Sequence, residues 1–220
     1  MNFNRTHPAR STGACRAFTL LELLLVITII AILAALTIGG FSYAQQAASR
    51  NRTRVGLAAI MSGLESYKDK FGEYPAVANP GAQFQFSDTK LFVGGARMLY
   101  QALVGNGSDQ IAGVPKATAS SNTSSMNKAE LAAMTANSVV KDLPKAMILC
   151  PANTNYYMLV DGFGRPYQYT KGDGTTTVNP TYDLWSYGTS DVASIQSLSN
   201  PPSLKEKQDL LRTAPWIKNW

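Results

Sequence analysis

The stretch that decides the fold runs from Phe18 to Phe41 and reads FTLLELLLVITIIAILAALTIGGF. From Leu23 to Phe41 it carries no charged side chain, and that length is about what a helix needs to cross the hydrocarbon core of a bilayer. One acid, Glu22, sits just inside the apolar run. Ahead of it lies a polar, basic segment, MNFNRTHPARSTGACRA, with Arg5, Arg10 and Arg16 and no acid to offset them.

Three readings of this segment compete. A plain membrane anchor has no use for Glu22, because an unpaired acid in lipid costs about 3 kcal/mol. An exported soluble protein would be cut after the apolar run, where Ser42-Tyr43-Ala44 before Gln45 offers a small-residue site. A lipoprotein needs its cysteine after the apolar run, whereas Cys15 precedes it. The order of residues around Glu22 supports a further reading that uses every feature of the segment. Ala17-Phe18-Thr19-Leu20-Leu21-Glu22-Leu23 resembles the class III leader site of type IV pilins and type II secretion pseudopilins. The resemblance implies cleavage between Ala17 and Phe18 on the cytoplasmic side, N-methylation of Phe18, and retention of the apolar helix. Ala17 stands where the family usually carries glycine. Glu22 becomes the fifth mature residue, and its carboxylate is expected to pair with the Phe18 amine of a neighbouring subunit during assembly. A buried acid with a defined partner sets register, even where the pair adds little net stability.

Charge alone does not orient the span. The three leader arginines face Arg50, Arg52 and Arg54 close beyond the apolar run, so the positive-inside count is nearly tied. The resemblance places the leader in the cytoplasm, a single pass in the inner membrane, and the head in the periplasm. The net charge is +6, of which the leader arginines supply three units. What remains forms no dense basic patch with interleaved aromatics, so nucleic acid is not an expected partner. The chain's only histidine, His7, and one of its two cysteines, Cys15, both fall in the leader. The mature chain would therefore lack a Ser-His-Asp or Cys-His set, an internal disulfide and a paired-cysteine metal site. No enzyme activity is expected.

Residues 42–70 contain no proline and continue the helix. Leu57, Ile60, Leu64, Tyr67 and Phe71 recur at spacings of three and four, one stripe facing a core. Gly39-Gly40 marks a point where the helix is weakened or kinked. Phe71-Gly72-Glu73-Tyr74-Pro75 ends it, and its Gly-x-Tyr-Pro portion also resembles the pseudopilin pattern. Residues 76–90 read as irregular. Leu91–Val104 reads as a helix, 105–125 as a loop insertion rich in small and polar residues, and Asn127–Val140 as another helix. Ala146–Leu149, Tyr156–Val160, Pro166–Thr170 and Tyr182–Tyr187 read as short strands between turn residues. A short helical stretch over Leu204–Leu211 precedes Trp216 and Trp220.

The expected fold is α+β and pilin-like. A long N-terminal helix packs on an antiparallel sheet of three or four strands. The expected divisions are a leader over 1–17, a transmembrane half-helix over 18–42, an amphipathic half over 43–72 and a head over 73–220. Two head segments extend the resemblance. Asp161 to Tyr169 (DGFGRPYQY) and Asp183 to Asp191 (DLWSYGTSD) are similar in order and spacing to segments of the major pseudopilin of type II secretion. There the loop after the second segment binds calcium. The resemblance implies Asp191, with Asp183, as calcium ligands, although a calcium site needs six to eight oxygens. The residues by themselves favour reading the same two aspartates as turn caps, and Asp173 in Lys171-Gly172-Asp173-Gly174 as part of a hairpin turn. The resemblance also implies other copies of the chain and other pseudopilins as partners, together with a prepilin peptidase, a secretion platform and an assembly ATPase. The function it implies is that of a filament subunit for protein export. A type IV pilus subunit and a secreted binding protein with an ordinary signal peptide are the competing expectations.

Overall fold

The structure, a computed structural model, describes residues 19–86, 89–105, 139–140, 143–152, 154 and 156–220, with the backbone alone at 37–40. The leader, the scissile Ala17-Phe18 bond, nearly all of the 105–125 insertion and the expected helix over Asn127–Val140, save its last two residues, lie outside the described residues. The chain forms two units, Met1–Gln45 and Gln46–Trp220.

Helix α1 spans Leu20–Phe71 and passes through Gly39-Gly40 without a break in its helical assignment. In the first unit every described side chain of this helix is exposed, including Leu25, Ile30, Leu33 and Phe41. A helix that is apolar on all sides and buried by nothing of its own is long and apolar enough to cross a membrane.

The second unit is built on the other half of α1. Leu57, Ile60, Leu64 and Tyr67 are buried, as the three–four spacing requires. Phe71, assigned to the same stripe, is instead 44% exposed and lies against the Tyr67 ring at the end of the helix, 4.4 Å between centroids. Met98, Leu99 and Leu103 of helix α2 (Gly94–Leu103) join Leu57, Ile60 and Leu64 in the main core.

Strands account for the largest departures from expectation. A hairpin of β1 (Gln83–Phe86) and β2 (Thr89–Phe92) occupies part of the segment read as irregular and takes Leu91 from the helix expected there. Burial alternates along β2, with Thr89 and Leu91 inward and Lys90 outward, a period of two that four residues state too briefly to overrule a helical spacing. Among the described residues, the single sheet of three or four strands is corrected to three small antiparallel sheets. β1 pairs with β2, and β3 (Ile148–Leu149) pairs with β4 (Met158–Leu159). The third sheet is antiparallel, in the order β5 (Gln168–Lys171), β6 (Tyr182–Ser186) and β7 (Ile217–Lys218). β6 is buried along its whole length, which explains why Tyr182-Asp183-Leu184-Trp185-Ser186 shows no clean in-out alternation. Two short helices lie between β6 and β7, α3 (Val192–Gln196) and α4 (Leu204–Leu210), and Ser203 and Glu206 close a capping box at the start of α4.

Candidate functional site

The N-terminal site begins with Thr19, the residue before the first helical position. The Glu22 backbone N–H donates to the Thr19 Oγ1 at 3.2 Å and lies 3.1 Å from the Thr19 carbonyl oxygen. Thr19 thus caps the third helical residue, in the Thr-x-x-Glu pattern of helix starts. Glu22 stands in the first turn of α1, where the exposed N–H groups favour a negative charge. Its side chain is exposed, and neither ion pair among the described residues includes it. Further along, the Thr28 hydroxyl donates to the Leu25 carbonyl at 2.7 Å, so this polar group is satisfied within the helix, as lipid demands. The arrangement is an apolar rod with one carboxylate near its end. Phe18, whose amine would complete the pair, lies outside the described residues.

The head motifs interlock. Asp161 Oδ1 accepts from the N–H of Phe163 (2.8 Å) and of Arg165 (2.9 Å), while Oδ2 accepts from the Ser186 hydroxyl. The Arg165 Nη1 donates to the carbonyls of Gly188 and Ser190, each at 2.9 Å. The Gly188 N–H closes the circuit on the Ser186 Oγ at 2.9 Å. The 161–169 and 183–191 segments are therefore two sides of one brace, and Gln168 and Trp185 are register partners within it. Burial pushes the Asp161 carboxyl above the ordinary carboxylate range, against the opposing pull of Ser186 and the two N–H groups.

Thr53 of α1 ties this brace to the helix. Its Oγ1 accepts from the Gly162 N–H at 3.0 Å and donates to the Ser49 carbonyl at 2.8 Å, while its own carbonyl accepts from the Tyr167 hydroxyl at 3.0 Å. The approach is close enough that a Cβ on Gly162 would lie 2.2 Å from the Ser49 carbonyl oxygen, and Gly164 turns the loop at a φ of +76°. The Gly-x-Tyr-Pro turn adds a second tie. Tyr74 donates to Glu65 at 2.9 Å, and Tyr169 donates to the Pro75 carbonyl at 2.7 Å.

Replacing Asp161 by Ala leaves two part-buried N–H groups and the buried Ser186 hydroxyl without their acceptor, an expected loss of about 2–4 kcal/mol. Asp161→Asn keeps the Oδ1 acceptor and is expected to lose about 1 kcal/mol. Thermal denaturation of the two variants beside the wild type checks the order, and equal losses would refute the acceptor role.

The two aspartates assigned to calcium are each engaged by protein groups. Asp183 is fully buried and its carboxylate is already filled. It accepts from the N–H of Val178 (2.7 Å) and of Asn179 (2.9 Å), and from the Lys207 ammonium at 2.7 Å. Lys207 Nζ also donates to the Thr176 carbonyl at 2.6 Å and lies 4.8 Å from the centroid of the Trp185 ring. Burial pulls the Lys207 ammonium below its ordinary pKa, while Asp183 holds it up. Asp191 is exposed and caps α3, accepting from the N–H of Ala193 and of Ser194. Asp173 organises the loop between β5 and β6, accepting from the N–H of Thr175 and of Thr176. Among the described residues no three His, Cys, Asp or Glu side chains are grouped to hold a metal ion.

Thr53 and Lys207 carry no sequence signature of these roles, and neither does Asn219. The Asn219 amide accepts from the Leu184 N–H and donates to the Tyr182 carbonyl, standing in for a strand partner beside β6. The Thr19 cap was available from the Thr-x-x-Glu spacing.

Residues 13–38 match the family described as the prokaryotic N-terminal methylation motif. No curated protein and no solved structure matches the chain. The matched stretch holds the leader junction, Glu22 and most of the apolar run, so the chain carries a leader of the type IV prepilin kind.

Proposed function

We propose that the chain is a pilin-like structural subunit, made with a leader, cut before Phe18, methylated there, and polymerised through its apolar helix. One observation carries the reading. The methylation motif over 13–38 contains the start of a helix whose described side chains up to Gln45 are exposed on every side, with Glu22 as the one carboxylate in that part. Such a surface must be covered, first by lipid and then by other copies. Burial at about 25 cal/mol per Å² favours the second step. Glu22 supplies register by meeting the Phe18 amine of the next copy. The role is structural rather than catalytic.

Within this class, the reading favoured is a pseudopilin of type II secretion, forming a short periplasmic filament that acts with a secretion platform and an ATPase after processing by a prepilin peptidase in the inner membrane. The order of the 161–169 and 183–191 segments supports this branch over a type IV pilus subunit. The leader would face the cytoplasm and the head the periplasm.

Mass spectrometry of the mature N-terminal peptide tests the proposal. The expected peptide begins with N-methylated Phe18. A mature chain beginning at Gln45 would overturn the filament reading and restore that of an exported soluble protein.

A further inference from the structure

We infer that Arg50, Arg52 and Arg54 form a collar that binds anionic phospholipid headgroups while the subunit waits in the membrane; this rests on the membrane-anchored reading above. All three side chains are exposed. The ion pairs of the described residues, Lys171–Glu73 and Lys207–Asp183, use none of them. No acid occurs between Glu22 and Glu65, so none lies within ten residues of the collar along its own helix. All three are arginine, whose planar fork matches phosphate oxygens bidentately, where lysine would offer a point charge.

Reach supports the same partner. Arg50 lies nine helical residues beyond Phe41, or about 13 Å of chain at helical rise. The headgroup layer accounts for roughly 5–7 Å of that on one side of a bilayer. Helical side chains lean toward the helix N-terminus, which here is toward the membrane. Arg50 can therefore reach back to a phosphate, while Arg52 and Arg54 stay within about one Debye length of the surface. Phe41 and Tyr43, both exposed, fall where aromatic residues mark a membrane interface. In the proposed orientation the cluster lies on the side that positive-inside statistics disfavour, so its charge needs a use other than setting topology.

The test uses the full mature chain in detergent, given equal amounts of phosphatidylglycerol and phosphatidylcholine, with retained lipid counted by native mass spectrometry. Wild type is expected to retain the anionic lipid in excess, on the order of tenfold if each arginine near the surface contributes several-fold. The preference should collapse in about 1 M salt, where the Debye length is roughly 3 Å. R50Q/R52Q/R54Q is expected to bring the ratio to near parity. K90Q/K205Q/R212Q, which removes three exposed charges elsewhere on the head, should leave it unchanged. No preference in wild type, or an unchanged preference in the collar variant, overturns the inference. A collar variant that keeps the lipid preference but fails to polymerise does so too, and assigns the arginines to a protein partner. Carbonate extraction separates this failure from failure of the anchored reading, because a chain that has lost residues 18–41 is released whatever its collar does.

Discussion

Replacing Glu22 by Ala is expected to abolish filament assembly while leaving cleavage before Phe18 largely intact. In the proposed cycle the carboxylate is tolerated in the membrane at a cost of about 3 kcal/mol because it finds a cationic partner on the next copy. Alanine removes that cost together with the partner, so the variant stays anchored at least as well as the wild type. It loses the one group that distinguishes the correct axial stagger from its neighbours, since an apolar helix slides against another apolar helix with little penalty. Local unfolding does not account for the loss. The Thr19 hydroxyl still caps residue 22 through the backbone N–H, alanine is a better helix former than glutamate, and the lost favourable interaction with the helix terminus is about 0.3–1 kcal/mol. Filament yield by electron microscopy after shearing should fall more than about tenfold, the effect of roughly 1.4 kcal/mol per contact. The N-terminal peptide should remain that of a processed chain. Filaments of normal abundance and length from this variant would remove Glu22 from the assembly mechanism.

The second large effect lies in the head. Lys207→Met strips the ammonium from a buried carboxylate, leaving Asp183 charged and only partly satisfied by Val178 and Asn179. Breaking a buried pair in this way costs about 3–5 kcal/mol, a large share of the stability of an ordinary domain. Asp183→Asn is expected to cost a similar amount for the converse reason. The double variant should cost clearly less than the two single losses added, because neither charge is stranded. Urea unfolding followed by tryptophan fluorescence reads this directly, since the rings of Trp185 and Trp220 lie 4.8 Å and 5.8 Å from the Lys207 Nζ. A loss below about 1 kcal/mol for Lys207→Met would mean that the pair contributes little.

What was legible in the sequence follows from the range of the interaction concerned. The apolar run and the Leu57, Ile60, Leu64, Tyr67 stripe are repeated signals over many residues, and both reappear in α1. The α+β class survives because α4 and the principal strands β5 and β6 each sit within a recognisable apolar or turn-bounded run. Sheet membership did not survive. β7 has only two residues, and it pairs with β6 across about thirty residues of chain, at Trp185 with Lys218 and Ser186 with Ile217. Nothing local announces such a partnership. The same holds for Asp183, which in sequence is one acid among several. Its role depends on Lys207, more than twenty residues later, arriving beneath the aromatic rings. Asp191, by contrast, stands directly before the helix it caps, where the alternative of a turn cap was already readable.

Thr53 has a mechanical consequence. A subunit of the proposed filament would be pulled and pushed along its helix while its head meets resistance. In this chain Thr53 would pass part of such a load to the brace, because it grips the Gly162 amide and the Tyr167 hydroxyl at once, beside the buried stripe of the same helix. Bonds loaded side by side share a force that would break them one after another in series, so the joint between Thr53 and the brace would resist shear.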